Sequence, residues 1–536
     1  MTTVTGKRKA GIAQRYTIAF VPSLSLHNTL TRQTETFTPI DSVGRMVSFY
    51  SCGPTVYDDA HVGNFRSFLN ADVLRRTLEL IGYSVRHVMN ITDVGHMTDD
   101  TDADGGGEDK MAVAGRRIAE AKKSGKLPAG ADIDPRDPLA IADFYANRFI
   151  EDARTLGLKV AQEFSTDPTL MPRPTQCIPQ MIALVEKLIA RNHAYVAGDG
   201  VVYFDIRSFP SYGKLSGNTL DALREGAGER VSANNQSFKR HPADFMLWKP
   251  DAAHVMKWDS PWGAGYPGWH LECSAMAAAF LGEEIDLHSG GEDNIFPHHE
   301  CEIAQSCCGY GHTSFSRVWF HTRHLVVEGE KMSKSKGNFF TVRDVLAREI
   351  TPAALRLELI RTHYRTNANF TWQGLKDCQR QIDRWTRAHS ALIKQAATKP
   401  AESSAIPGPF QRALEQFTSA MCDDLNVARA IAAINTAVSE SPEGAASNNC
   451  AHAELSALNR MNDVLAVFER NVSSENNSHG DPAAEEFKAK VESLIAARAA
   501  ARAAKDWAAG DRVRDELVAI GVQIKDSAQG TTWTRM

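Results

Sequence analysis

The sequence predicts an α/β protein, with a parallel-sheet domain interrupted by an insertion and followed by a long helical C-terminal region. Three observations carry this. "RMVSFYSCGPTVYD", "SFLNADVLRRTLELIG" and "YSVRHVMNIT" succeed one another as strand, helix and strand, a unit that implies parallel pairing. The stretch 285–325 returns to strand–turn–helix–strand patterning, so two parts of one sheet flank the chain between them. From about residue 375 the pattern is almost wholly helical.

The elements follow in order. Residues 45–58 are β-branched and aromatic up to a Cys-Gly-Pro turn, the mark of a strand entering a loop. Residues 67–82 place apolar side chains at helical spacing and stop at Gly82. The next ten read as a second strand. Residues 101–139 are polar and glycine-rich, and residues 140–195 are helical. "GDGVVYFDIRSF" supplies a hairpin strand, and the insertion spans about 110–260. Two Ser-, Asn-, Pro- and Gly-rich breaks, 397–409 and 473–485, mark linkers in the helical region. The Ala-rich tail that follows has strong helical propensity.

At 536 residues the chain needs several domains, and 43% hydrophobic with 23% charged residues is ordinary globular composition. No apolar run approaches the roughly 18 residues that span a bilayer, so no membrane partner is expected. A net charge of −5 decides nothing about nucleic acid, since a local basic surface is enough to bind it. Nine thinly spread cysteines fit a reducing, cytoplasmic setting better than a disulfide framework. Residues 1–34 contain Lys7, Arg8, Lys9, Arg15 and Arg32 and no acidic residue. They read as a disordered basic extension, a bias that organelle transit peptides share.

Three motifs carry chemistry. In "CGPTVYDDAHVGNFR", His61, Gly63 and Asn64 fall at a helix N-terminus, where backbone N–H groups favour phosphate. Gly63 would let a flat base approach the backbone. In "EGEKMSKSKGN", Lys331, Lys334 and Lys336 alternate with serines in a glycine-flanked loop, an arrangement suited to the growing charge of a departing pyrophosphate. "PHHECEIAQSCCGYGH" crowds histidines, glutamates and cysteines into residues 297–312. On a helix, His298 meets Glu302 at i,i+4 and Cys301 at i,i+3, so spacing leaves the two tied. Imidazole with thiolates suits zinc, while buried cysteines also pack as small hydrophobes. Other matches fail. "GAGYPG" does not open a helix, "DTDADG" has Met111 where a calcium loop needs glutamate, and no P-loop occurs. The acidic stretch 99–109 reads as solvated loop.

Taken together, "LHNTLTR", "YSCGPTVYDDAHVGN", "NITDVGHMT", "YGKLSGN", "PGWHLECSAM", "FPHHECEIAQS", "KMSKSKGNFFTVRDVL", "CDDLNVARA" and "VRDELVAIGVQIKD" resemble, in order, the cysteinyl-tRNA synthetases of class I. The resemblance runs from about residue 25 to the C-terminus. It implies a Rossmann-like catalytic domain split by an insertion and an all-α C-terminal tRNA-binding region. The boundaries expected are an extension at 1–24, catalytic halves at 25–135 and 261–325, and an insertion at 136–260. A KMSKS-loop region at 326–395, a helical bundle at 396–472, a linker at 473–485 and an anticodon-binding domain at 486–536 follow.

The resemblance also implies site residues. The HIGH signature spans Pro54 to Asn64 and KMSKS spans Lys331 to Ser335. This makes His61, Asn64, Lys331 and Lys334 catalytic, with His61, Gly63, Asn64 and Lys334 binding ATP. Thr55, Thr92, Trp269 and Asp293 line the amino-acid pocket. One zinc ion is held by Cys52, Cys273, His298 and Glu302. Magnesium accompanies ATP, and tRNA(Cys) and L-cysteine are the partners of a monomer. Asn64 replaces the second histidine of HIGH; it can donate a hydrogen bond but carries no charge. Zinc would select the soft cysteine sulfur over serine, a near-isostere that an ordinary pocket rejects by only about 1–3 kcal/mol. An amino-sugar ligase on the same fold would lack the long C-terminal region. A non-catalytic RNA-binding paralogue would have no need of KMSKS.

Overall fold

The computed structural model describes residues 23–94, 97–99, 106–124, 133–219, 238–333, 336–398, 407–441, 451–468, 491, 493–499, 501, 506–519, 522–527 and 530–535. Residues 1–22 of the expected extension, the linker 473–485 and Lys334 lie outside the described residues. The chain divides into two compact units, Met1–Glu469 and Arg470–Met536.

In the first unit, β1 (Met46–Ser51), α1 (Val62–Leu80) and β2 (Ser84–Met89) form the expected strand–helix–strand unit. The insertion supplies α2 (Lys110–Lys123), α3 (Pro138–Thr155) and α4 (Ile178–Ala190). It continues with β3 (Ala194–Val196), β4 (Val202–Phe204), β5 (Phe245–Pro250) and β6 (Gly265–Pro267), an antiparallel sheet in the order β6-β5-β4-β3. The chain then returns through α5 (Trp269–Phe280), β7 (Ile285–Gly291), α6 (Glu300–Tyr310) and β8 (Ser316–Thr322). Strands β8, β7, β1 and β2 lie side by side in that order, all parallel. Val47, Phe49 and Leu287 are fully buried, as strands covered on both faces require.

Beyond the sheet, β9 (Leu325–Val327) pairs with β10 (Glu330–Lys331), α7 (Pro352–Ile360) follows, and β11 (Ala368–Phe370) lies parallel to β9. Helices α8 (Trp372–Thr398), α9 (Pro409–Met421), α10 (Val427–Glu440) and α11 (Ala451–Leu465) complete the unit. The second unit contains α12 (Trp507–Ala519), β12 (Val522–Ser527) and β13 (Gly530–Arg535).

Two expectations need correction. The stretch 99–109 is not simply solvated loop: Gly106–Asp109 pairs with Met97–Asp99, and Asp109 caps α2. The C-terminal region is not wholly helical, because β12 and β13 form an antiparallel hairpin. The alternation of Val522 and Ile524 with polar residues, and the β-branched "TTWT" after Gly530, favour strands over the helical propensity of the preceding alanines.

Helix α1 is buried nearly all round, and charges inside the fold pin it. Arg66 is 1% exposed and donates to five carbonyls, those of Arg323, Leu359, Thr362, His363 and Thr366. One turn and a half later, Asp72 Oδ2 accepts from Arg356 of α7 at 2.5 Å and Arg76 at 2.7 Å, and Oδ1 from the backbone of Lys159 at 2.8 Å. Arg356 also donates to the carbonyls of Leu465 and Leu156, so a single buried pair joins four segments. Burial opposes ionisation of Asp72, but Arg76 and Arg356 outweigh it and hold its carboxyl well below the usual carboxylate range.

Asp72→Asn should therefore cost about 3–5 kcal/mol at neutral pH, because Arg356 loses its buried counter-charge. A carboxyl depressed in the folded state stabilises above its unfolded pKa of about 4, and that stability is lost as pH falls below it. Denaturant titrations of the variant should thus show a flatter acid limb than the wild type.

Candidate active site

The carboxyl ends of β1, β2, β7 and β8 converge on one edge of the sheet, the edge where open α/β sheets bind ligands. Cys52 and Gly53 follow β1, and the peptide groups of Pro54 and Val56 bond to Thr92 beyond β2, which brings Thr55 beside Thr92. Gly53 is obligatory, since a Cβ there would sit 1.7 Å from the carbonyl oxygen of Asn90. A cavity of about 500 Å³ at this edge is lined by Cys52, His61, Gly63, Asn64, Asp293 and Lys331, among others. Thr55, Thr92 and Trp269 are not among its lining residues.

His61 is the N-cap of α1. Its Nδ1 accepts from the backbone N–H of Asn64 at 3.1 Å, and its own N–H donates to Asn64 Oδ1 at 3.1 Å. This is a capping box in which a histidine and an asparagine take the usual hydroxyl and carboxylate roles. A Cβ on Gly63 would approach the His61 ring and Met332 at 3.0 Å, so glycine keeps this corner open. Lys331 ends β10 on the cavity rim.

Behind Cys52 lies a buried cluster of metal-type donors. Cys52 Sγ is 3.8 Å from Cys273 Sγ and 3.7 Å from Glu302 Oε1, and His298 Nε2 is 3.0 Å from Glu302 Oε1. His299, which the sequence did not single out, also belongs: its Nε2 is 3.3 Å from Cys52 Sγ. The contributing segments are the β1 loop, α5, the turn before α6 and α6 itself. Cys301 faces elsewhere, with Sγ 3.3 Å from the Tyr212 hydroxyl. Cys307 and Cys308 are packed in an apolar cluster that pushes both thiols up to about 12.

The donors are oriented from outside. Glu302 Oε2 accepts from His288 Nε2 at 2.8 Å, the Nδ1 atoms of His298 and His270 lie 2.9 Å apart, and His299 Nδ1 bonds to His321 at 2.8 Å. Trp269 lies against the His298 ring, 4.4 Å between centres. Burial works to protonate Glu302, but His288 and His298 outweigh it and hold the carboxyl at about 2. Burial also raises the Cys52 thiol, while hydrogen bonds from Cys52 and His298 overcome burial at Cys273 and acidify it. Burial works to deprotonate His298, but Glu302 and Cys273 outweigh it and raise the imidazole to about 10. Glu302 and Cys273 thus favour the forms that bind a metal, while Cys52 and His298 would each release a proton to it. Two sulfurs at about 2.3 Å from one tetrahedral ion would be about 3.8 Å apart, so the thiol pair fits zinc.

The parallel sheet, its inserted sheet and this edge site define the catalytic fold of class I aminoacyl-tRNA synthetases. Residues 38–380 match the family described as tRNA synthetases class I (C) catalytic domain. Solved structures share the fold at low identity. The *Mycobacterium tuberculosis* methionyl-tRNA synthetase with methionyl-adenylate has a TM-score of 0.50 and 14% identity, covering 79% of this chain and 90% of that one. The LeuRS of *Agrobacterium radiobacter* K84, in its ternary complex with tRNA and LeuAMS, has a TM-score of 0.54 and 13% identity, covering 81% and 85%. Residues 484–533 match the cysteinyl-tRNA ligase anticodon binding domain. Cysteine–tRNA ligases of *Salinibacter ruber* and *Thermus thermophilus* are 41% and 40% identical, over 96% and 95% of this chain and 98% and 99% of theirs. The chain belongs to the cysteine–tRNA ligase family.

Asn64→Ala removes the acceptor for the His61 N–H and should lower unfolding free energy by about 1 kcal/mol in urea titration. Asn64→Asp keeps the acceptor and should recover most of it.

Proposed function

We propose that the chain activates L-cysteine with ATP and transfers the cysteinyl group to the 3′-terminal ribose of tRNA(Cys). One observation supports this most: Cys52 belongs both to the buried donor cluster and to the lining of the cavity that holds His61, Gly63, Asn64 and Lys331. A thiol-selecting cradle and a phosphate-binding helix start thus share one wall.

Cys52, Cys273, His298 and Glu302 would hold one zinc ion, with His288 and His270 fixing the carboxylate and imidazole from behind. Bound there, zinc supplies a soft Lewis acid that favours a cysteine sulfur over a serine hydroxyl. His299, whose outer nitrogen is tied to His321, supports the Cys52 side of the cluster.

The cysteine amino and carboxyl groups would lie towards Thr55, Thr92, Trp269 and Asp293. Gly63 leaves space for the nucleotide at the start of α1. In the first step the substrate carboxylate attacks the α-phosphate in line and pyrophosphate leaves with Mg²⁺. His61, the Asn64 amide, Lys331 and Lys334 stabilise the charge that develops. In the second step the terminal ribose hydroxyl of the tRNA takes the cysteinyl group and AMP departs. No protein nucleophile takes part. Residues 484–533 would hold the anticodon arm.

The full chain should support cysteine-dependent ATP–pyrophosphate exchange and then charge tRNA(Cys). Exchange without charging would point to another acceptor, and no exchange would end the reading. Lys331→Ala should slow exchange by about 10²-fold. Metal analysis separates the ligand assignment: Cys273→Ala and Glu302→Gln should lose stoichiometric zinc, and Cys301→Ala should keep it.

A further inference from the structure

We infer that Lys110 is a positioning residue for the amino-acid half of the site, acting through Trp269. The inference rests on the pocket reading given above. Lys110 is the first residue of α2 and only 4% exposed. Its Nζ lies 5.3 Å from the centre of the Tyr57 ring and 5.7 Å from that of Trp269. Trp269 in turn lies 4.4 Å from the His298 ring. One ammonium therefore bridges the loop after β1 and the start of α5, with the indole between it and a donor of the metal-type cluster. Desolvation strengthens such a cation–π contact.

The placement of Lys110 is itself held. Asp109 Oδ1 accepts from the backbone N–H groups of Met111 and Ala112 at 2.7 and 3.0 Å, which caps α2. Its Oδ2 is 2.9 Å from His254 Nε2, and the His254 ring stacks on Tyr266 at 4.1 Å between centres. Tyr266 lies three residues before Trp269. The same latch thus anchors the lysine and the segment that carries the indole. Losing the ammonium leaves Trp269 without its buried cation, and the pocket wall becomes free to shift.

Lys110→Met keeps the stem and removes the charge, and Lys110→Arg keeps the charge. In ATP–pyrophosphate exchange by the full zinc-loaded chain, Lys110→Met should raise the cysteine KM about tenfold. It should leave kcat, the ATP KM and bound zinc unchanged, and Lys110→Arg should recover most of the loss. His254→Gln should raise the cysteine KM in the same sense and add nothing in the Lys110→Met background. An unchanged cysteine KM, equal impairment by arginine and methionine, additive double-variant effects, or loss of zinc and fold with the lysine would overturn the assignment. Fluorotryptophan NMR, with the Trp269 resonance assigned by Trp269→Phe, supplies a readout independent of activity. Lys110→Met should move or broaden that resonance, and Lys110→Arg should not. If the wild type shows no cysteine-dependent exchange, the functional reading fails, and the resonance alone then decides the role of Lys110.

Discussion

A carboxylate sealed from water must be kept ionised by its neighbours, and much of the site follows from that demand at Glu302. Its side chain is fully buried, and nothing apolar could hold its charge. His288 on β7 supplies one partner and His298 the other, so the middle of β7 and the turn before α6 must both reach α6. Cys52 comes from the β1 loop and Cys273 from α5. Five segments spread over some 250 positions are committed to one point (Cys52 to Glu302). The parallel order β8-β7-β1-β2 satisfies this because it ends β7 and β1 next to each other at the same edge.

The other half of the cavity is secured differently. There the site is built from a helix start and a basic loop, and rigidity comes from the body of α1. Arg66 gathers the carbonyls of the segment after β8 and the turn after α7, while Asp72 ties the helix to α7. Both are charges that only pay their way inside the fold, since each is surrounded by the partners that removal would strand. The helix that presents His61 and Asn64 is therefore anchored along its length by polar bonds, where most helices rely on one apolar stripe.

How far the sequence could be read depends on whether the signal was local. β1, α1 and β2 were legible because alternation, helical spacing and Gly82 lie within single segments. The β12–β13 hairpin was not, because alanine-rich propensity next to it masked a short alternation. At the site, spacing tied Cys301 with Glu302, as two residues one position apart on a helix differ only in direction. The direction is set by Tyr212, which receives Cys301 from a segment 89 residues away. His299 and His288 went unnoticed for the same reason: a histidine that serves another donor has no spacing signature of its own. Asp109 looked like one acid among many until its 2.9 Å approach to His254 brought a distant loop to the start of α2.

Asn64 shows how a departure from a signature can be absorbed. With its Oδ1 accepting from the His61 N–H, asparagine presents an acceptor at the third helical position that a protonated histidine lacks. The cap is thereby closed on both sides, and His61 is held by its backbone and its ring together. The Asn64 side chain keeps only neutral amide donors for a phosphate. On the proposed chemistry, positive charge for the transition state would come from Lys331 and from the start of α1, both on the cavity wall. On that proposal, exchanging a charge for a better cap would make catalysis depend more on Lys331 than a second histidine would.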